Sequence, residues 1–146
     1  MFRYFSSLIL SLSLIFSAQG KPADSIPWMA YADNDLRAAQ VLIEVKEPLI
    51  GVSLYHIEQA FEKALKAYLI AHDVSFALTH DLKPLLKSCS TVDTQFDQFA
   101  LDAKEISPYA TKSRYPNKSY SPPTKNEVEQ LIKRAQLLVA FVNKRI

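Results

Sequence analysis

The sequence predicts an all-α fold, an antiparallel bundle of four to five helices. Apolar residues recur at intervals of three and four along most of the chain, no strand-length run alternates between turn signals, and the breakers collect in a few short stretches. From Trp28 to about Leu49, Trp28, Met29, Ala32, Leu36, Ala39, Leu42 and Ile43 mark one buried face of a first helix, with Pro48 and Gly51 punctuating its end. A second helix, about Ser53 to His72, turns Leu54, Ile57, Phe61, Ala64, Leu65, Tyr68 and Leu69 inward. Residues 73–79 link it to a third helix carried by Leu82, Leu85, Leu86 and Cys89. With Asp81 as its N-cap, Pro84 falls at the third helical position, where a missing N–H has no intrahelical partner to lose. Phe96, Phe99, Ala100, Ala103 and Ile106 carry a fourth helix, which ends before Ser107-Pro108 because the residue before proline is pushed out of the α region. Residues 107–123 hold Pro108, Pro116, Pro122 and Pro123 and are expected to form a surface loop. Thr124 and Glu127 then make a capping box ahead of a fifth helix with Val128, Leu131, Ile132, Ala135, Leu138, Val139 and Val142 inward.

Composition narrows the function. The 146 residues suit one domain with one core, and a net charge of +2 without a run of like charges does not imply nonspecific nucleic-acid binding. Gly20 and Gly51 are the two glycines, too few for a glycine-rich phosphate loop, so a P-loop or dinucleotide fold is set aside. Cys89 stands alone, which removes intrachain disulfides and cysteine-based metal clusters. His56, His72 and His80 are spaced sixteen and eight apart, unlike a metal-binding helix motif, so no metal site and no cofactor are expected. Residues 1–20 have the layout of a secretory signal peptide: Arg3, an apolar run from Leu8 to Phe16, and small residues in Ser17-Ala18-Gln19-Gly20, with cleavage expected before Lys21. The run is too short and too interrupted by serines for a permanent membrane span. An upstream start or a decayed leader on a cytoplasmic protein is the alternative. Either way the expected domain is residues 21–146.

The second helix reads Tyr55-His56-Ile57-Glu58-Gln59-Ala60-Phe61-Glu62-Lys63-Ala64-Leu65-Lys66-Ala67-Tyr68-Leu69. This resembles the signature of the HEPN family: an aromatic-His start, then Gln-Ala and a Glu-Lys-Ala-Leu-Lys-Ala core. Trp28, Ala32-Asp33, Asp35-Leu36 and Ala39, Thr79-His80-Asp81-Leu82 with Leu85-Leu86, and Tyr109 with Arg114-Tyr115-Pro116 extend the resemblance over roughly residues 26–143. It implies a helical bundle that dimerises, associated with nucleotide binding, with minimal nucleotidyltransferase partners in toxin–antitoxin pairs and, in some branches, with RNA cleavage. The cleaving branch carries an Arg followed about four to six residues later by a His, which together handle a proton and phosphate charge. Here Arg114 is followed by Tyr115-Pro116-Asn117-Lys118-Ser119-Tyr120, and no His follows His80. The nuclease motif is absent, and Tyr120 stands one position short of the spacing of the tyrosine that accepts a nucleotide in the paired toxins. The resemblance suggests a cytoplasmic protein, the leader an exported one.

His56, Gln59, Lys63 and Lys66 lie at offsets of three, four and three on one face, beside an i, i+4 row of Glu58, Glu62 and Lys66. As a solvated face, this would hold an ordinary Glu62–Lys66 pair worth about 0.2–0.5 kcal/mol. As a functional face it would recognise a ligand or fix dimer geometry through a buried polar network. His80-Asp81 is better read as a capping Asp81 with His80 packed or hydrogen-bonded at the bundle end than as a catalytic pair. Arg114 and Tyr115 are the loop's candidates for ligand contact, since a guanidinium grips phosphate and an aromatic ring stacks on a base. Lys112, Arg114, Lys118 and Lys125, with no acidic residue between Ser107 and Asn126, make this the most basic local stretch of residues 21–146. The expected protein is therefore a non-catalytic binding module, a homodimer engaging a nucleotide, an RNA or a nucleotidyltransferase partner. The alternatives are a metal-independent ribonuclease using His80 or His56, and an exported domain for protein–protein contact.

Overall fold

A helical hairpin frames the molecule. In the structure, a computed structural model that describes residues 15–16, 22–116 and 119–146, α1 (Pro22–Glu44) and α2 (Ile50–Ala71) are joined by residues 45–49 and pack along each other. The chain continues through α3 (Leu82–Val92), a 3-10 turn at Thr94–Phe99, α4 (Ala100–Ile106), a second 3-10 turn at Ser107–Ala110 and α5 (Lys125–Asn143). The two-residue strands β1 (Ile15–Phe16) and β2 (Phe76–Ala77) pair antiparallel, Ile15 opposite Ala77 and Phe16 opposite Phe76. The rest of the expected leader, residues 1–14 and 17–20, and the Gly20–Lys21 junction lie outside the described residues. Among the described residues no helix is long and apolar enough to cross a membrane.

The fold is the all-α bundle that the periodicity predicts, and α2 is its centre. Leu54, Ile57, Phe61, Leu65 and Leu69 are fully buried, and α2 meets α1, α3, α4 and α5 in turn. Phe96 packs on Tyr68 with centroids 4.4 Å apart and edge-on to Phe141 at 5.0 Å, joining the turn before α4 to α2 and α5. Asp81 caps α3 by accepting from the Lys83 N–H at 3.1 Å, and Thr124 with Glu127 forms the capping box of α5.

Several boundaries differ from the sequence reading. Helix α1 starts at Pro22 rather than Trp28 and ends at Glu44, keeping Pro27 within it at an exposed position where water can satisfy the carbonyl that proline leaves free. Gly51 does not separate the hairpin helices but sits in the first turn of α2, where an added Cβ would stand 2.9 Å from the Ser113 carbonyl oxygen. The segment expected to start a fourth helix at Phe96 is a 3-10 turn, and the loop expected from residue 107 begins with another. Helix α2 closes with a Schellman pattern: the Val74 N–H donates to Leu69 O at 2.8 Å and the Asp73 N–H to Ile70 O at 3.1 Å. Asp73 has φ 54°, taking the left-handed position that glycine usually holds.

Candidate functional site

Two carboxylates organise the polar residues of the hairpin. Asp35 projects from α1 toward α2 and accepts from His56 Nδ1 at 2.8 Å and from the Lys63 ammonium. His56 and Lys63 are seven residues apart, two turns of α2, and so reach the same carboxylate from above and below. The Asp35 side chain is only 12% exposed, so removing either partner would leave charge in a poorly solvated place. Glu62, the second carboxylate, accepts from Lys66 Nζ at 2.6 Å and from His80 Nδ1 at 2.8 Å, tying α2 to the segment that leads into α3. The Lys66 ammonium also lies 5.9 Å from the Trp28 ring and 5.8 Å from the Phe76 ring.

This overturns the reading of Glu58, Glu62 and Lys66 as a solvated row. All three are buried, and the Glu62–Lys66 contact is an interior ion pair rather than a surface one. Burial is the main force raising the Glu58 carboxyl to about 8; the Gln59 amide, donating at 2.9 Å, opposes it, and the adjacent Glu62 carboxylate adds to it. Glu58 therefore keeps its proton at neutral pH. Its Oε1, buried without a hydrogen-bond partner when read as a carboxylate, becomes a hydroxyl facing the Glu62 charge when protonated.

Near the start of α2, the close approach of Ser113 to Gly51 lays the backbone around Ser113 across the helix. The Arg114 guanidinium sits 5.0 Å from the Tyr55 ring and 5.6 Å from the Tyr115 ring, and Tyr55 meets His56 edge-on at 5.6 Å. His56 also lines an open groove of about 600 Å3 with Asn34, Arg37, Val41 and Val52. A second cleft, of about 370 Å3, is walled by Pro27, Trp28, Tyr31 and Lys63.

The structure thus divides the residues singled out from sequence into linked groups. His56 and Lys63 share Asp35, with Arg114 and Tyr115 joined to them through Tyr55; Lys66 and His80 share Glu62; Gln59 holds Glu58. His80 turns to Glu62 while the neighbouring Asp81 caps α3, so the two do not form a dyad. Sequence reasoning missed Asp35 and Glu62 as organising carboxylates, and Arg37, Tyr31 and Tyr55 as groove and ring partners. One signal was available: Asp35 falls between Ala32 and Ala39 on the inward stripe of α1, and Glu58 and Glu62 interleave with Ile57, Phe61 and Leu65. A carboxylate at an apolar-face position demands a partner.

Comparison with known proteins bears on this arrangement. The family model described as HEPN domain matches residues 27–145. No curated protein matches the chain. The solved crystal structure of TT1696 from Thermus thermophilus is similar at 24% sequence identity, covering 84% of this chain and 98% of that one with a TM-score of 0.68, and this likeness speaks to the fold.

Proposed function

The chain belongs to the HEPN domain family, helical modules related to nucleotides and RNA, and on that footing we propose that it is a binding module without nuclease chemistry. In this reading a homodimer engages a nucleotide or RNA, or a minimal nucleotidyltransferase partner, through the polar side of α1 and α2 and the loop over it. One observation carries the proposal. Arg114 lies over the Tyr55 and Tyr115 rings, and Tyr55 in turn meets the His56 of the His56–Asp35–Lys63 cluster. A guanidinium held on aromatic faces keeps its N–H fork free for phosphate, and the rings offer a surface on which a base can stack. Lys66 and Gln59 act behind this surface, holding Glu62 and Glu58 in place.

Titrating purified protein with nucleotides and short RNAs, alongside Lys63→Ala and Arg114→Ala, tests the reading. Binding weakened by both variants supports it; no binding across the series removes the ligand part.

A second reading has its own observation. The Asp35 carboxylate on His56 Nδ1 orients the imidazole as a general base requires, with Nε2 left for a substrate and Arg37 lining the same groove. Glu62 orients His80 through Nδ1 in the same way, so it is the groove shared with Arg37 that favours His56 over His80 for a ribonuclease with a non-standard site. RNA degradation that survives His56→Ala and His80→Ala together would count against it. The exported interaction domain is tested by cell fractionation of full-length protein and by intact mass for cleavage before Lys21.

A further inference from the structure

The outward face of α1 carries a stripe that the described chain leaves uncovered. Asn34, Arg37, Val41 and Glu44 follow one another at spacings of three, four and three, a narrow arc of the helix surface, and Val45 lies beside them. Val41 is 65% exposed and Val45 40%, while Leu49 at 48% and Val52 at 47% carry the apolar surface through the turn into α2. Val41 and Val52 line the 600 Å3 groove, with Arg37 at its rim. A single exposed valine needs no explanation; a sequence of them along one edge with a groove beside it marks an interaction surface.

The order of charges along the stripe names the occupant. Arg37 stands at one end, Val41 in the middle and Glu44 at the other. Among the described residues Arg37 makes no ion pair, and Glu44 meets only Lys125, at 3.3 Å on the surface. If a second α1 is laid antiparallel across the first about a two-fold axis near Val41, each Arg37 faces the other copy's Glu44 and the valines meet in the middle. A pattern that satisfies itself under a two-fold rotation is what an isologous interface requires, whereas an unrelated partner would have no reason to find it symmetric. We propose that this face of α1 is where two copies of the chain associate, an inference that rests on the homodimer reading above and gives it a location. The same seam runs past the mouth of the groove that holds His56, so association encloses that groove between the two copies.

Sedimentation equilibrium of the purified chain tests this with four variants: Arg37→Glu, Glu44→Arg, the two together, and Val41→Glu. All three positions are exposed, and circular dichroism confirms that each variant is folded. The expected result is a dimer that each single charge reversal weakens roughly ten-fold or more, that the double reversal restores, and that Val41→Glu abolishes. A dimer indifferent to all four variants overturns the face and leaves the homodimer reading standing. Single reversals that weaken association without rescue in the double overturn the two-fold pairing. A monomer at every concentration overturns both the face and the homodimer.

Discussion

Replacing Glu58 by glutamine should make the protein more stable, and increasingly so as the pH rises. Glutamine has the shape of a protonated glutamate: its carbonyl can still accept from Gln59 and its amide can donate toward Glu62, but it has no proton to lose. The native state holds the Glu58 proton up to about 8, chiefly through burial, against the ordinary 4.5 of a solvated carboxyl. Between those two values the unfolded chain has released the proton and the folded chain has not. Folding then takes up a proton, so stability contributed by the protonated group is complete below 4.5 and declines until the pH passes 8. At 1.36 kcal/mol per pH unit this amounts to about 3 kcal/mol at pH 7. Glu58→Gln removes that dependence.

Urea titrations of both proteins at pH 4, 7 and 9 measure the effect. The variant and the parent should be of similar stability at pH 4. The variant should lead by about 3 kcal/mol at pH 7, equivalent to roughly 10 °C in midpoint for a domain of this size. The gap should stop growing once the pH is above 8, where Glu58 ionises in both states. A difference that stays constant from pH 4 to 9 would refute the reasoning, since it would mean that Glu58 titrates alike folded and unfolded.

Other consequences follow from single contacts. Asp35→Ala strips His56 and Lys63 of their shared acceptor and should lower stability by about 3 kcal/mol in chemical denaturation, because a charge left half-buried without its partner costs more than a surface pair is worth. Asp73→Gly relieves the left-handed backbone at the end of α2 and should raise stability by up to about 1 kcal/mol, measured by thermal melting. Gly51→Ala places a methyl group 2.9 Å from the Ser113 carbonyl and should destabilise by about 1–3 kcal/mol despite alanine's better helix propensity. If Arg114 binds a nucleotide, Gly51→Ala should weaken that binding as well, because it displaces the segment that presents the guanidinium.

The apolar framework was legible because it depends on local period alone. Leu54, Ile57, Phe61, Leu65 and Leu69 lie on one side of any helix they form, whatever packs there, and they occupy the core. The capping residues Asp81 and Thr124 were legible for a similar reason, since their bonds run to backbone groups within three residues. Helix ends set by distant contacts were not. Gly51 reads as a breaker in sequence, yet it is needed inside α2 because a loop much later in the chain crosses it at Ser113. The candidate site fared the same way. His56, Lys63, Lys66 and His80 could be picked out by type and spacing, but which carboxylate each one meets depends on how α1 and the 72–81 segment dock on α2. A pattern of i and i+4 charges looks identical whether it faces water or Asp35.

That difference bears on what the polar residues do for the fold itself. Apolar ridges on α1 and α2 resist sliding by a turn only through shape, since any apolar side chain that comes opposite can still be buried, at the cost of cavities and clashes. A buried carboxylate is less forgiving. Asp35 can be satisfied only where His56 and Lys63 flank it, and a slip of one turn, about 5.4 Å, would leave three ionisable groups without partners in a poorly solvated seam. Glu62 sets the same condition for the segment before α3 through His80. Asp35 thus holds one register of the hairpin against its alternatives and Glu62 the docking of the segment before α3, and the imidazole that Asp35 fixes meets the Tyr55 ring on which Arg114 rests. Positioning of the surface proposed to recognise a ligand and selection of the native helix pairing are therefore a single task. Asp35→Asn separates this from simple charge neutralisation. It keeps the acceptor oxygen near His56 while weakening the hold on Lys63, and by this argument it should retain the helix content in circular dichroism while losing the sharpness of the unfolding transition.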